Sequence, residues 1–181
     1  MATTHAAIQA HRETALFAYK LKSKYKITNG IKQDQWMKMY DSGEIEISSV
    51  FENLVVHIRN LNGKPTVKVL EDTHDFASIN GAGGLVPLGD LKVASLKKNG
   101  YQRRYVISKT HNKEGNIYTI CWNWMTNKPA FFVIPPHDYD GYPHPKRGYK
   151  IMCCPDTGKR TGGYYNDNCH YETFEEMCLV D

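Results

Sequence analysis

The stretch Leu85-Val86-Pro87-Leu88-Gly89-Asp90-Leu91-Lys92-Val93-Ala94-Ser95-Leu96 decides the fold: it is an apolar run broken by one acid and one lysine two residues apart. Such a run, bounded by turn residues, has the length and composition of a β-strand. Side chains alternate across a strand, so Asp90 and Lys92 share a face. A carboxylate then stands beside an ammonium, and an acid from the upstream cluster Glu71, Asp72 and Asp75 can share a metal ion with Asp90. The tripeptide alone is weak, because about two such spacings arise by chance among this many acids and lysines. Its surroundings carry the reading.

Upstream, the pattern is helical. Thr4 to Tyr25 lacks Gly and Pro and is rich in Ala, Leu and Lys, with a Thr28-Asn29-Gly30 turn beyond it. A short helix is expected over Gln33 to Tyr40. In the next segment Ile47, Val50, Phe51, Leu54, Val55 and Ile58 form one apolar stripe, and Asn62-Gly63 marks the exit. From Lys64 the period changes. Thr66 to Leu70, Leu85 to Leu96, Tyr101 to Lys109, Asn116 to Met125 and Pro129 to Ile134 are rich in β-branched and aromatic residues and are expected to form a mostly antiparallel meander. His111 to Gly115 and Thr126 to Lys128 read as hairpin loops, and Ile134-Pro135-Pro136 as the end of the sheet. Asn80-Gly81-Ala82-Gly83-Gly84 either brings backbone close to a ligand or makes a flexible turn. Residues 137–171 are aromatic, Gly-rich and Pro-punctuated, and a short helix is expected over Thr173 to Leu179.

At 181 residues and 41% hydrophobic content the chain suits a single domain. We divide it into a helical part (1–62), a catalytic sheet (63–136) and a loop-rich cap (137–181). The formal charge is +4, a mild excess whose placement matters more than its sum. Lys92, Lys97, Lys98, Arg103 and Arg104 occur without an intervening acid, close in sequence to the acidic cluster. No leader-like segment or membrane-spanning run is found, and five cysteines cannot all pair, so an intracellular, soluble protein is expected.

A helix, a strand leading into acids, a Gly-rich connection, a strand carrying Asp90-Leu91-Lys92 and then further strands together resemble the core of the PD-(D/E)xK nuclease superfamily. Tyr105-Val106-Ile107-Ser108, Gly115-Asn116-Ile117-Tyr118 and Phe131-Phe132-Val133-Ile134-Pro135 extend the likeness to residues 45–136. The first half of the motif departs from its name, since no Pro precedes the acid. The resemblance implies an α+β restriction-endonuclease-like core: N-terminal helices, a mixed and mostly antiparallel sheet, and an irregular C-terminal cap. It also implies a DNA endonuclease dependent on Mg²⁺, with Mn²⁺ as substitute, that leaves a 5′-phosphate and acts as a homodimer of restriction or homing type.

Within that resemblance Asp75 is the first metal ligand, with Asp72 and then Glu71 as alternatives; Asp90 is the second ligand, and Lys92 holds the attacking water. Glu52 is a further metal candidate, because related enzymes place a Glu on the preceding helix. The stronger reading of Glu52 is local, since Ser49-x-x-Glu52 matches a capping box at the start of the third helix. Lys97, Lys98, Arg103, Arg104, Lys146, Arg147, Lys159 and Arg160 are the expected DNA contacts. Lys68 is read as a surface lysine, Cys121 as core, and His74 as a strand cap or a ligand. His137, His144, Cys153, Cys154, Cys169, His170 and Cys178 lack the spacing of a standard zinc site. The competing interpretation is a non-catalytic nucleic-acid-binding or phage-encoded inhibitory protein, in which Asp90 and Lys92 are an incidental surface pair.

Overall fold

The computed structural model describes residues 2–71, 73–99, 102–109, 114–136, 143–144, 148–153 and 170–181. Three helices come first: α1 (Ala2–Lys24), α2 (Gln33–Asp41) and α3 (Ile47–Leu61). The apolar stripe of α3 faces inward, with Phe51, Leu54, Val55 and Ile58 buried. Its exit is Asn62-Gly63, where the Asn62 side chain donates to the Ile58 carbonyl at 2.7 Å and Gly63 adopts φ +71°, a conformation that disfavours any side chain. α2 is fastened to α1 by Trp36, whose indole N–H donates to the Ala15 carbonyl at 3.0 Å. Phe17 of α1 is the centre of an aromatic cluster, with the rings of Phe51, Trp122, Phe131 and Phe174 5.9–6.4 Å away. Each such buried ring contributes roughly 1.5–3 kcal/mol through apolar burial, and this cluster holds the helices to the sheet.

The strands are β1 (Thr66–Lys68), β2 (Phe76–Ile79), β3 (Leu85–Asn99), β4 (Gln102–Lys109), β5 (Asn116–Asn123), β6 (Lys128–Ile134), β7 (Pro143–His144), β8 (Gly148–Cys153) and β9 (His170–Tyr171), followed by α4 (Phe174–Cys178). The sheet is mixed and mostly antiparallel, in the order β7-β8-β4-β3-β5-β6-β9, with the β1–β2 pair joined to β3. The expected fold class, helices followed by a mixed and mostly antiparallel α+β sheet, is therefore observed.

Three sequence expectations need correction. β4 and β5 are not a hairpin: β5 pairs in parallel with β3, from Gly89↔Asn116 to Ser95↔Trp122, and β4 lies on the other edge of β3. The reason is burial. Every residue of β5 is buried, so both faces are covered and the strand belongs inside the sheet, flanked by β3 and β6. The prolines at 135 and 136 end β6 but not the sheet, because β9 pairs with Phe131 and Phe132 and β8 pairs with β4. β2 was not anticipated, since its four residues are too few to show a period. The Asn80–Gly84 segment is the turn between β2 and β3, in which Asn80 Oδ1 accepts from the Ala82 and Gly84 amides.

Arg59 went unnoticed in the sequence and ties α3 to the C-terminal segment. It is 2% exposed, and its guanidinium donates to Thr66 Oγ1, to the Cys178 and Val180 carbonyls, and to Asp181 Oδ1, all at 2.8–2.9 Å. Tyr118 donates to the same Val180 carbonyl. Replacing Arg59 by Met strands the buried Cys178 carbonyl, removes the other three hydrogen bonds, and is expected to lower unfolding free energy by about 2 to 3 kcal/mol in urea titrations. Lys64→Ala removes an ion pair with the exposed Asp181 carboxylate and should cost under about 1 kcal/mol.

Candidate active site

Three different strands pair along β3, and their arrangement makes the site. β2 pairs with its first residues, Leu85 to Gly89, and β4 with its last, Leu96 to Asn99. β5 occupies the other edge from Gly89 to Ser95. Between β2 and β4, the middle of β3 therefore faces an opening in the ladder, with no strand partner on that edge among the described residues. A β-bulge introduces it: Phe76 pairs with Gly89 while the next residue, Ala77, pairs with Pro87, leaving Leu88 as the extra residue. The bulge explains why Leu88 and Leu91, three apart, both enter the helix-facing core. Gly89 is required here, because a Cβ would lie 2.2 Å from the Asn116 carbonyl oxygen of β5. Beyond it normal alternation resumes, and Asp90 and Lys92 take the face opposite Leu91 and Val93.

Asp75, just before β2, is fixed in the opening by three hydrogen bonds. Its N–H donates to the Gly89 carbonyl at 2.8 Å, its carbonyl accepts from Val69 N–H at 2.9 Å, and its Oδ2 accepts from Leu91 N–H at 2.7 Å. The carboxylate thus occupies the place of a strand partner for Leu91. It also meets Asp90, a buried residue whose Oδ2 lies 2.9 Å from Lys92 Nζ. Burial first, then the hydrogen bond with Asp90, push the Asp75 carboxyl up to about 7; the charges of Asp90 and Glu52 add to the rise, and the Leu91 amide opposes it. Two carboxyls in hydrogen-bonding contact share a proton where a divalent cation can be held instead. The hard oxygen donors of Asp75 and Asp90 fit Mg²⁺, which takes one or two carboxylates and completes its shell with water and phosphate oxygens.

The capping box expected at Ser49 and Glu52 is not formed. α3 begins at Ile47 with Glu46 in the N-cap position, so both residues lie within the helix. There they meet Lys68 of β1, whose Nζ is 2.9 Å from Glu52 Oε2 and 2.8 Å from Ser49 Oγ. Lys68 is thus not a solitary surface lysine. Glu52 acts on Asp75 through its charge while its own Oε2 is engaged by Lys68. Among the described residues no three His, Cys, Asp or Glu side chains converge as a metal cluster. Glu71 is exposed, and Asp72 lies outside the described residues. His74 is buried, its Nδ1 2.7 Å from Thr73 Oγ1.

Lys97 and Lys98 pair through the backbone with Arg104 and Arg103 at the far end of the β3–β4 ladder. Lys146, Arg147, Lys159 and Arg160 lie outside the described residues. Cys121 is fully buried, as expected of core. Cys178 is also in the core, where burial raises its thiol well above the ordinary range. No described helix is long and apolar enough to cross a membrane.

No protein-family model matches the sequence, and no curated protein resembles it. Among solved structures, the bacterial homing endonuclease I-Ssp6803I aligns over 66% of this chain and 84% of its own, with 18% identity and a TM-score of 0.37. A likeness at that distance carries no correspondence of residues.

A pH dependence follows from the raised Asp75 carboxyl. In the unfolded chain Asp75 ionises near 3.8, but in the folded protein it keeps its proton to about 7. Folding therefore takes up a proton between these values, and this group's contribution to stability is lost as pH rises through that window. Metal-free protein should melt at lower temperature at pH 8 than at pH 5. Asp75→Asn should flatten the difference, and Mg²⁺ should raise the pH 8 melting temperature of wild type but not of the variant. A slope unchanged by Asp75→Asn would assign the proton uptake to another group.

Proposed function

We propose that this chain is a Mg²⁺-dependent DNA endonuclease in which Asp75 and Asp90 hold the metal and Lys92 is the catalytic lysine. The observation that carries this reading is the contact between two carboxyls, one just before β2 and one on β3, with an ammonium 2.9 Å from the second. Mg²⁺, or Mn²⁺ in its place, would supply Lewis acidity at the phosphate and lower the pKa of a bound water. The protein's own contribution is placement. Asp75 is fixed by the Leu91 amide and Asp90 by its position on β3, so the ligand pair does not reorganise when phosphate arrives. Lys92, with its side chain about one-third exposed, is placed to orient a water and to offset the negative charge that builds on the scissile phosphate.

DNA would be held by the basic residues at the end of the β3–β4 ladder, Lys97, Lys98, Arg103 and Arg104, together with Lys146, Arg147, Lys159 and Arg160. Contacts of this kind make affinity fall steeply with salt. Sequence-specific cleavage of both strands, of restriction or homing type, would require two copies of the site and hence a homodimer.

The test is cleavage of plasmid and phage DNA with Mg²⁺ or Mn²⁺ by wild type, Asp90→Ala and Lys92→Ala. Wild type should give discrete fragments, and each variant should be at least about 100-fold slower while keeping its fold and DNA binding. Cleavage undiminished in either variant would remove that residue from the mechanism. Folded wild type that binds DNA but cuts none would instead be a non-catalytic binding protein.

A further inference from the structure

Thr119 lies in β5 directly opposite Lys92. Register partners in a parallel ladder point to the same face, so the Thr119 hydroxyl is on the face that carries Asp90 and Lys92. It is 0% exposed, and its Oγ1 has no hydrogen-bond partner among the described residues. A buried hydroxyl without a partner costs stability, whereas the isosteric Val would fill the same space at no such cost. An arrangement of this kind calls for a functional reason. Among its described ladder neighbours, Ile117 and Cys121 flank it along β5, Phe132 is its partner in β6, and Lys92 is the one whose side chain ends in a strong donor. Asp90, on the diagonal, already faces Lys92 and Asp75.

We propose that Thr119 is a positioning residue for Lys92, accepting a hydrogen bond from its ammonium when Asp90 is occupied with Mg²⁺. This inference rests on the reading of Asp75 and Asp90 as metal ligands. Asp90 Oδ2 lies 2.9 Å from the ammonium. A carboxylate that donates its electrons to a cation is a weaker acceptor for Lys92, and without a second acceptor the long side chain would be free to turn to solvent. Thr119 Oγ1 supplies that acceptor from a rigid, fully buried strand, which keeps Nζ next to the scissile phosphate.

The experiment compares wild type, Thr119→Val, Thr119→Ala and Thr119→Ser by thermal melting, by NMR of ¹³C-labelled lysine, and by plasmid cleavage. Loss of a merely structural hydroxyl would leave cleavage and the Lys92 signal unchanged. Our expectation is that Thr119→Val melts at or above wild type, and that its Lys92 signal matches wild type without Mg²⁺ and differs with it. Cleavage at saturating Mg²⁺ should fall roughly tenfold in kcat with little change in KM. Thr119→Ala should show the same change in signal and rate despite its smaller side chain, and Thr119→Ser should restore both. Equal Mg²⁺ responses of Lys92 in wild type and Thr119→Val, with equal cleavage, would overturn the inference while leaving the metal site intact. A wild-type Lys92 signal that ignores Mg²⁺ would overturn the metal-site reading, and this inference with it.

Discussion

The hydrogen bond from the Leu91 amide to the Asp75 carboxylate is the constraint on which the site depends. A strand edge that loses its neighbour exposes an N–H that must find an acceptor. Here the bulge at Leu88 turns β2 away from β3, and Asp75 meets that need with a side chain instead of a carbonyl. One interaction thus closes the ladder and fixes an acid beside Asp90. It also places the carboxyl where burial and a second carboxyl raise its pKa to about 7.

The remainder of the fold serves this junction. The aromatic cluster around Phe17 presses the helices onto the sheet, and Arg59 fastens α3 to β1 and the C-terminal segment. α3 in turn presents Glu52, whose pairing with Lys68 ties helix to strand beside Asp75. On the other edge, β5 packs so closely that Gly89 admits no side chain, which sets β3 and its Asp90–Lys92 pair in a single register. Asp75, Asp90 and Lys92 are held by backbone contacts, and Glu52 and Lys68 by each other.

Much of this architecture was legible in the residues. The stripe on α3 follows from a helical period, and the Asp90–Lys92 contact follows from alternation on β3. Asp75 lies against Asp90, at a separation suited to adjacent strands, while Glu71 is exposed. What was not legible depends on long-range pairing. The parallel β3–β5 register joins segments separated by β4, and local pattern suggested a hairpin instead. Lys68 and Glu52 meet across 16 positions of chain, and Ser49-x-x-Glu52 matched a local motif that the actual helix start at Ile47 displaced. Nothing near Arg59 in sequence announces the C-terminal carbonyls it binds. Thr119 was invisible for the opposite reason: a threonine in a strand is ordinary, and only the absence of a hydrogen-bond partner among the described residues singles it out.

We propose that Asp75 and Asp90 together hold one divalent cation. Anomalous difference density of crystals soaked in Mn²⁺ tests this. A single peak is expected, contacted by carboxylate oxygens of both residues and lost in Asp75→Asn. Density that avoids this pair at millimolar Mn²⁺, or that persists unchanged in Asp75→Asn, would contradict it.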